Sequence, residues 1–188
     1  MNTLIPSDIE IIIGHENINS FIEKLETSAE VAMLSIANLA AEKDAMSFLF
    51  ECKFHKNGYN PIDCAIPLSF NEQLNQTFTY LASFRSAEYI FKKHPNLKKL
   101  KLNFGIESRY DIQSLDTDEL QALVFASLNQ FSNRILLGDR FRIDNSKAKF
   151  KYVFFIAPQH PFSEKTVNLS GRDVHIISLG SGITNRSK

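Results

Sequence analysis

The apolar residues of this chain follow helical spacing in long segments and alternate with polar residues in short ones. Between Ile18 and Leu39 they recur every three or four residues, which predicts an amphipathic N-terminal helix of about six turns. Four later segments alternate as strands do: 100–106, 110–115, 151–156 and 174–178. This mixture predicts an α+β fold with α/β-like layers, in which helices flank a central mixed β-sheet.

The composition is that of a single globular protein. The 188 residues are 44% apolar and include 16 phenylalanines, so we expect one domain over residues 1–180 and a polar tail at 181–188. Basic and acidic residues balance at 21 each, which argues against a main role in non-specific attraction to nucleic acid or anionic membrane. No apolar run reaches the ~18 residues of a membrane span, and we expect a soluble, cytoplasmic protein without a membrane partner.

Residues 46–70 predict a β-hairpin with its turn near Gly58. In that register Cys52 faces Cys64 on the apolar side, so both thiols are expected to be buried and inert. The two cysteines and five histidines fit no zinc-ligand spacing. We therefore expect no structural metal and no bound cofactor.

Glu51 and Lys53 on this hairpin have two interpretations. They face water on the polar side, with Lys53 opposite Asp63 in a cross-strand ion pair. Alternatively, Glu51-x-Lys53 belongs to a nuclease site, in which carboxylates hold Mg²⁺ and a lysine helps to activate water. We favour the solvated ion pair because its geometric partner is already available.

A second helix is predicted from about residue 71 to residue 93. Ser69-x-x-Glu72 is a capping box that marks its start. Polar residues fill its first half, and Gln73 and Gln76 among them are candidate contacts to nucleic acid. The alternative, which we favour, is that these first turns of the helix are simply solvated.

Residues 120–128 fit a strand alternation and a helical stripe equally well. If they form a strand and residues 132–141 a helix, the order from residue 71 is helix, three strands, helix and further strands. That order resembles the PD-(D/E)XK, or restriction-endonuclease-like, superfamily. In this family an aspartate opens the second strand and Glu-x-Lys lies on the third.

The resemblance covers about residues 71–180. It implies that Asp111 occupies the metal-binding aspartate position, with Glu107 nearby, and it puts Leu123 and Phe125 where the glutamate and lysine stand. Leucine cannot ligate Mg²⁺ and phenylalanine cannot orient water. The resemblance therefore implies a nuclease-like domain with a degenerate metal site, which binds nucleic acid or a nuclease-type partner without cutting.

An active Mg²⁺-dependent nuclease is a second implication of the same resemblance. Gln76-x-x-x-Tyr80 is similar to a motif that follows the catalytic lysine in recombination-type members, and here it follows Glu51 and Lys53. Asp44 would be the aspartate. Only six residues separate Asp44 from Glu51, which leaves no room for the usual hairpin between them.

Basic residues in two connections are further candidates for phosphate contacts. They are Lys98, Lys99, Lys101, Arg134, Arg140 and Arg142. The alternative is that they solubilise loop ends. A third hypothesis is a small protein-binding adaptor, chaperone or immunity-type protein, which is indicated by the many phenylalanines, the balanced charge and the lack of a convincing catalytic set.

Overall fold

A computed structural model describes residues 10–105, 110–115, 119–126, 143, 147–156, 161–169 and 171–180. The helices are α1 (Ile18–Glu42), α2 (Ala45–Phe54) and α3 (Phe70–Lys93). The strands are β1 (Glu10–Gly14), β2 (Gly58–Tyr59), β3 (Pro67–Leu68), β4 (Lys99–Asn103), β5 (Ile112–Ser114), β6 (Leu120–Phe125), β7 (Phe150–Phe155), β8 (Ser163–Leu169) and β9 (Arg172–Ser178). These elements confirm the predicted α+β class, the large sheet and the N-terminal helix.

The described strands form a seven-stranded mixed sheet in the order β1-β4-β5-β6-β7-β9-β8. Strands β4, β5 and β6 are an antiparallel meander, and β6, β7 and β9 run parallel to one another. Residues 120–125 are therefore a strand, with Ala122 paired to Ile112 on one side and to Tyr152 on the other. The predicted helix at 132–141 and the polar tail at 181–188 lie outside the described residues.

The chain forms two compact units, residues 17–81 and residues 1–16 with 82–188. In the second unit, ring contacts join Tyr89 of α3 to Tyr152 and Phe154 of β7. The opposite face of β7 places Val153 in an apolar cluster with Leu123. The sheet of this unit is thus buried on both faces near β6 and β7, and the prediction of one domain over 1–180 stays a prediction.

The predicted hairpin arm at 46–55 is wrong, because residues 45–54 form helix α2. Asp44 caps this helix, and its Oδ1 accepts hydrogen bonds from the N–H groups of Met46 and Ser47 at 3.1 Å each. Methionine, leucine, glutamate and lysine in the segment are good helix formers. A cap and favourable propensity therefore outweigh the alternation of phenylalanines.

The pairing expected across the hairpin is consequently absent from the described structure. The small ladder that forms pairs Gly58 with Leu68 and Tyr59 with Pro67. Cys52 lies on α2 and is half-buried, and Cys64 is exposed, so the prediction that both thiols are buried is wrong. The predicted cross-strand ion pair of Lys53 and Asp63 has no strand to hold it.

The predicted start of α3 is confirmed in atomic detail. The N–H of Glu72 donates to Ser69 Oγ at 3.3 Å, and the N–H of Ser69 donates to Glu72 Oε2 at 2.8 Å. These reciprocal bonds are a capping box. Lys56 also pairs with the Glu72 carboxylate, and these bonds hold the pKa of Glu72 below its usual value even though burial opposes them.

Candidate functional site

Asp111 lies just before β5 and beside β6. Its Oδ2 accepts a hydrogen bond from the N–H of Val124 at 2.7 Å, and its own N–H donates to the carbonyl of Ala122 at 3.0 Å. Leu123 is only 2% exposed and packs in the apolar cluster, with Phe125 against the same cluster. The carboxylate thus stabilises the end of the strand pair, and the neighbouring side chains at 123 and 125 are packed in an apolar cluster.

Metal-ligand geometry is lacking in the described part of the chain. No group of three or more His, Cys, Asp or Glu side chains there is placed to hold a metal ion. Glu107, the second predicted carboxylate, lies outside the described residues. The described residues around Asp111 therefore do not supply the set of oxygen ligands that a divalent cation needs.

Glu51 and Lys53 do not converge on one point. On a helix, residues two positions apart do not face each other. Glu51 Oε2 lies 3.0 Å from His55 Nδ1 and accepts a hydrogen bond from Asn57 Nδ2 at 3.0 Å. Lys53 is exposed, with its Nζ 5.4 Å from the ring centre of Phe54. The Glu-x-Lys interpretation depended on a strand at residues 51–53, and these residues lie on helix α2 instead.

Gln73 and Gln76 take part in a buried polar network. Gln73 is only 2% exposed, and its amide donates to Ser28 Oγ at 3.0 Å and accepts the N–H of Tyr59 at 3.2 Å. Because both ends of this amide are engaged inside the unit, Gln73 is not presented to a partner. The helix start is also less solvated at this position than we expected.

Asn60 is the centre of the second half of this network. Its Nδ2 donates to Gln76 Oε1 at 2.8 Å and to the Tyr80 hydroxyl at 3.1 Å. Its Oδ1 accepts the N–H groups of Ile62 and Asp63 at 2.9 and 3.1 Å. Gln76-x-x-x-Tyr80 therefore holds the 58–68 loop against α3, and burial raises the pKa of the Tyr80 hydroxyl.

The predicted basic residues are only partly described. Lys98 and Lys99 are exposed at the start of β4, whereas Lys101 Nζ pairs with Glu10 Oε1 at 2.8 Å across β1 and β4. Arg134, Arg140 and Arg142 lie outside the described residues. Lys98 and Lys99 thus remain as accessible cations of the predicted set.

A cluster that the sequence did not reveal lies where α3 ends beside β7. His94 Nε2 is 2.7 Å from the Tyr152 hydroxyl, and the ring of His175 stacks on Tyr152 with centres 5.0 Å apart. Thr166 Oγ1 lies 3.0 Å from His175 Nδ1. Burial raises the pKa of Tyr152 to about 12, while burial first and neighbouring charges second lower the pKa of His94. The hydrogen bond therefore joins a neutral imidazole to a neutral phenol.

Helix α2 presents its apolar stripe to solvent. Met46, Leu49, Phe50 and Phe54 follow helical spacing and are between 56% and 74% exposed. Glu51, by contrast, is on the less exposed side of the helix. The pattern is the reverse of an ordinary surface helix, whose apolar stripe faces the core.

The absence of buried residues extends beyond α2. No residue from 29 to 57 is buried, although α1 continues to residue 42. Val31, Met33 and Leu34 on α1 are also exposed, and α1 and α2 are in contact. We name the following set the α1–α2 apolar surface: Val31, Met33, Leu34, Met46, Leu49, Phe50 and Phe54.

The α2 members of this surface, Met46, Leu49, Phe50 and Phe54, are each more than half exposed. Its sequence signal was present in the helical spacing of residues 46, 49, 50 and 54. The predicted strand alternation obscured that spacing.

Comparisons with known proteins assign the chain to no family. No protein-family model matches the chain, and neither a search of curated proteins nor one of solved structures gave a match. Among the described helices, none combines the length and apolar character needed to cross a membrane.

Proposed function

We propose that this protein is a non-catalytic, protein-binding module that uses the α1–α2 apolar surface. The supporting observation is that the apolar stripe of α2 faces solvent while the helix buries none of its residues. Exposed apolar patches are typical of interaction sites. Phenylalanine and methionine are also enriched at protein interfaces, where they fill pockets of the partner. This is the adaptor-type function among the hypotheses drawn from the sequence.

The adaptor proposal is tested with a photo-crosslinking amino acid. One variant replaces Phe50, and the matched control replaces Phe162, which has nearly the same exposure, 59% against 56%, but lies in the other unit. We expect a protein adduct from position 50 that disappears when Leu49 and Phe54 are changed to serine. The same adducts from both positions, or none from position 50, would contradict the proposal.

The serine changes must leave the fold intact for this test to be informative. Exposed side chains contribute little to stability, so Leu49→Ser with Phe54→Ser should change the free energy of unfolding by no more than about 1 kcal/mol. Urea unfolding followed by circular dichroism measures this change. A larger loss would redirect the test to single-site variants at the same two positions.

A second candidate function is a nuclease-like scaffold that binds nucleic acid, or a nuclease-type partner, without cutting. The observations that favour it are the antiparallel meander β4–β6 followed by the parallel strand β7, and the buried Leu123 in the position of a metal-ligating glutamate. Gel shifts with single-stranded and duplex DNA test binding. Loss of the shift in Lys98→Ala with Lys99→Ala would support phosphate contacts at the start of β4.

The same samples test catalysis in the presence of Mg²⁺ or Mn²⁺. A non-catalytic domain leaves plasmid DNA intact in all variants. Cleavage that is lost in Asp111→Ala would overturn the non-catalytic proposal and locate a site beside β6. Cleavage that is lost in Glu51→Ala with Lys53→Ala would instead support the predicted nuclease at that pair.

A further inference from the structure

An acidic ridge borders the α1–α2 apolar surface. Glu23, Glu26 and Glu30 are exposed and follow one another at intervals of three and four residues on α1. Glu30 precedes Met33 and Leu34 by three and four residues, so it is their neighbour on the helix surface. None of the ion pairs among the described residues includes these three carboxylates.

The unit that contains this surface is acidic, although the whole chain is neutral. Residues 17–81 include eight acidic and four basic side chains, which gives this unit a net charge of −4, while the other residues make up +4. Lys53 is the exception near the stripe, since it follows Leu49 and Phe50 by four and three residues. A complementary partner therefore needs net positive charge and one acidic group for Lys53.

The structure points to an occupant of stated chemistry, and this inference rests on the proposed function. We propose that the α1–α2 apolar surface binds an amphipathic helix of another protein, whose apolar stripe is bordered by lysine or arginine residues. The cations would face Glu26 and Glu30, and the apolar stripe would cover Phe50 and its neighbours. Complementary charge of this kind sets orientation and suppresses wrong partners.

A helical occupant follows from the spacing of the exposed side chains. The apolar residues of α2 form a ridge at intervals of three and four residues, and such ridges pack into the grooves of another helix. Recognition of an amphipathic helix by apolar side chains of neighbouring helices is a recurring binding mode.

The charge of the unit weighs against two other occupants. A second copy of the chain would bring together two units that each have a net charge of −4, and like charges across an interface are unfavourable. An anionic membrane attracts basic segments and repels an acidic one. A basic helix satisfies both the apolar stripe and the surrounding carboxylates.

The experiment uses two synthetic amphipathic peptides of about 18 residues, long enough to form a helix. One combines a leucine stripe with lysines, and the other has glutamates in place of the lysines. By fluorescence anisotropy we expect the full chain to bind the leucine/lysine peptide at least roughly tenfold more tightly than the leucine/glutamate peptide. A scrambled leucine/lysine peptide of the same composition, which has no stripe, should bind weakly.

Charge reversal on the protein completes the test. Glu26→Lys with Glu30→Lys should weaken binding of the leucine/lysine peptide by roughly tenfold and strengthen binding of the leucine/glutamate peptide. Glu119→Lys, an exposed position in the other unit, is the matched control and should change neither affinity. A higher salt concentration should weaken binding of the leucine/lysine peptide to the wild type, so that the two charged peptides bind with similar affinity.

Several results would overturn this inference. They are equal binding of the two charged peptides, no binding of the leucine/lysine peptide, or equal binding of its scrambled form. If the protein is a dimer in sedimentation and Phe50→Ser is a monomer, the surface binds a second copy. If the protein binds anionic vesicles and Phe50→Ser does not, the surface binds a membrane. The specific cross-link at position 50 reports on the proposed function separately, so a cross-link without peptide binding rejects only the basic helix.

Discussion

The hydroxyl of Tyr152 and Nε2 of His94 lie 2.7 Å apart in a hydrogen bond, and this bond joins the end of α3 to β7. Tyr152 is almost completely buried, and its raised pKa keeps it protonated. The pKa of His94 is lowered by burial first and by the charges of His175, Lys93 and Lys149 next. Both shifts favour the same arrangement, a hydrogen bond between a neutral imidazole and a neutral phenol.

Stability should therefore fall as the solution is acidified. In the unfolded chain His94 takes up a proton near its ordinary pKa of 6.5, whereas in the folded chain it does so only at lower pH. The contribution of this histidine is complete above pH 6.5 and is lost as pH falls through the lowered pKa of the folded state. Urea unfolding between pH 8 and pH 5 measures it.

His94→Gln is the control for this pH dependence, because glutamine fills similar space and does not titrate. The other histidines are the same in both proteins, so the difference between the two curves isolates position 94. We expect the wild type to lose more stability than His94→Gln over this range. Parallel curves would contradict the assignment of a lowered pKa to His94.

The hydrogen bond itself should be measurable by mutation. Tyr152→Phe removes the hydroxyl that is hydrogen-bonded to His94 Nε2, which should lower the free energy of unfolding by about 1–2 kcal/mol. A double-mutant cycle with His94→Ala separates the pair from the loss of packing. Coupling of about 0.5–1.5 kcal/mol is expected, and strict additivity of the two changes would show that the contact contributes nothing.

Asn60 should be the most sensitive polar position of residues 17–81. Asn60→Ala removes bonds to Gln76 and Tyr80 and to the N–H groups of Ile62 and Asp63, so we expect a loss of about 2–3 kcal/mol in the free energy of unfolding. Asn57→Ala, the matched control, removes one exposed bond to Glu51 and should cost less than about 0.5 kcal/mol. Similar losses for the two variants would contradict the role of Asn60.

Sequence patterns predict those parts of the fold that local chemistry decides. The capping box of Ser69 and Glu72 and the apolar spacing of α1 identify both long helices because the determining residues are close in sequence. The pair of His94 and Tyr152 could not be predicted, because its members are 58 residues apart and only the sheet brings them together. Burial of Gln73 was missed for the same reason, since its partner Ser28 is distant in sequence.

The error at residues 45–54 has a different cause. Phe50 and Phe54 alternate as strand residues do, and they are also one helical turn apart, so both periods fit the same side chains. The deciding residue is Asp44. In the structure α1 ends at Glu42, and Asp44 begins the next helix by capping it.

The cap of α2 gives a further prediction. The bonds from Ser47 and Met46 hold the pKa of Asp44 below its ordinary value, and Asp44→Ala removes them. Because no residue of α2 is buried, we expect its first turn to fray, with faster amide hydrogen exchange at Met46 and Ser47. Asp44→Asn should retain slow exchange, since asparagine caps equally well, and equal exchange in all three proteins would contradict the cap.

Leu123→Glu tests whether a metal site can be built beside Asp111. The Leu123 side chain packs with Val153 and Val174, so this change places a carboxylate in an apolar cluster. We expect a loss of at least about 3 kcal/mol in the free energy of unfolding, whereas the volume-conserving Leu123→Met should cost less than about 1.5 kcal/mol. A Leu123→Glu protein that keeps its stability and gains Mg²⁺-dependent stabilisation would instead show that the position remains suited to a metal ligand.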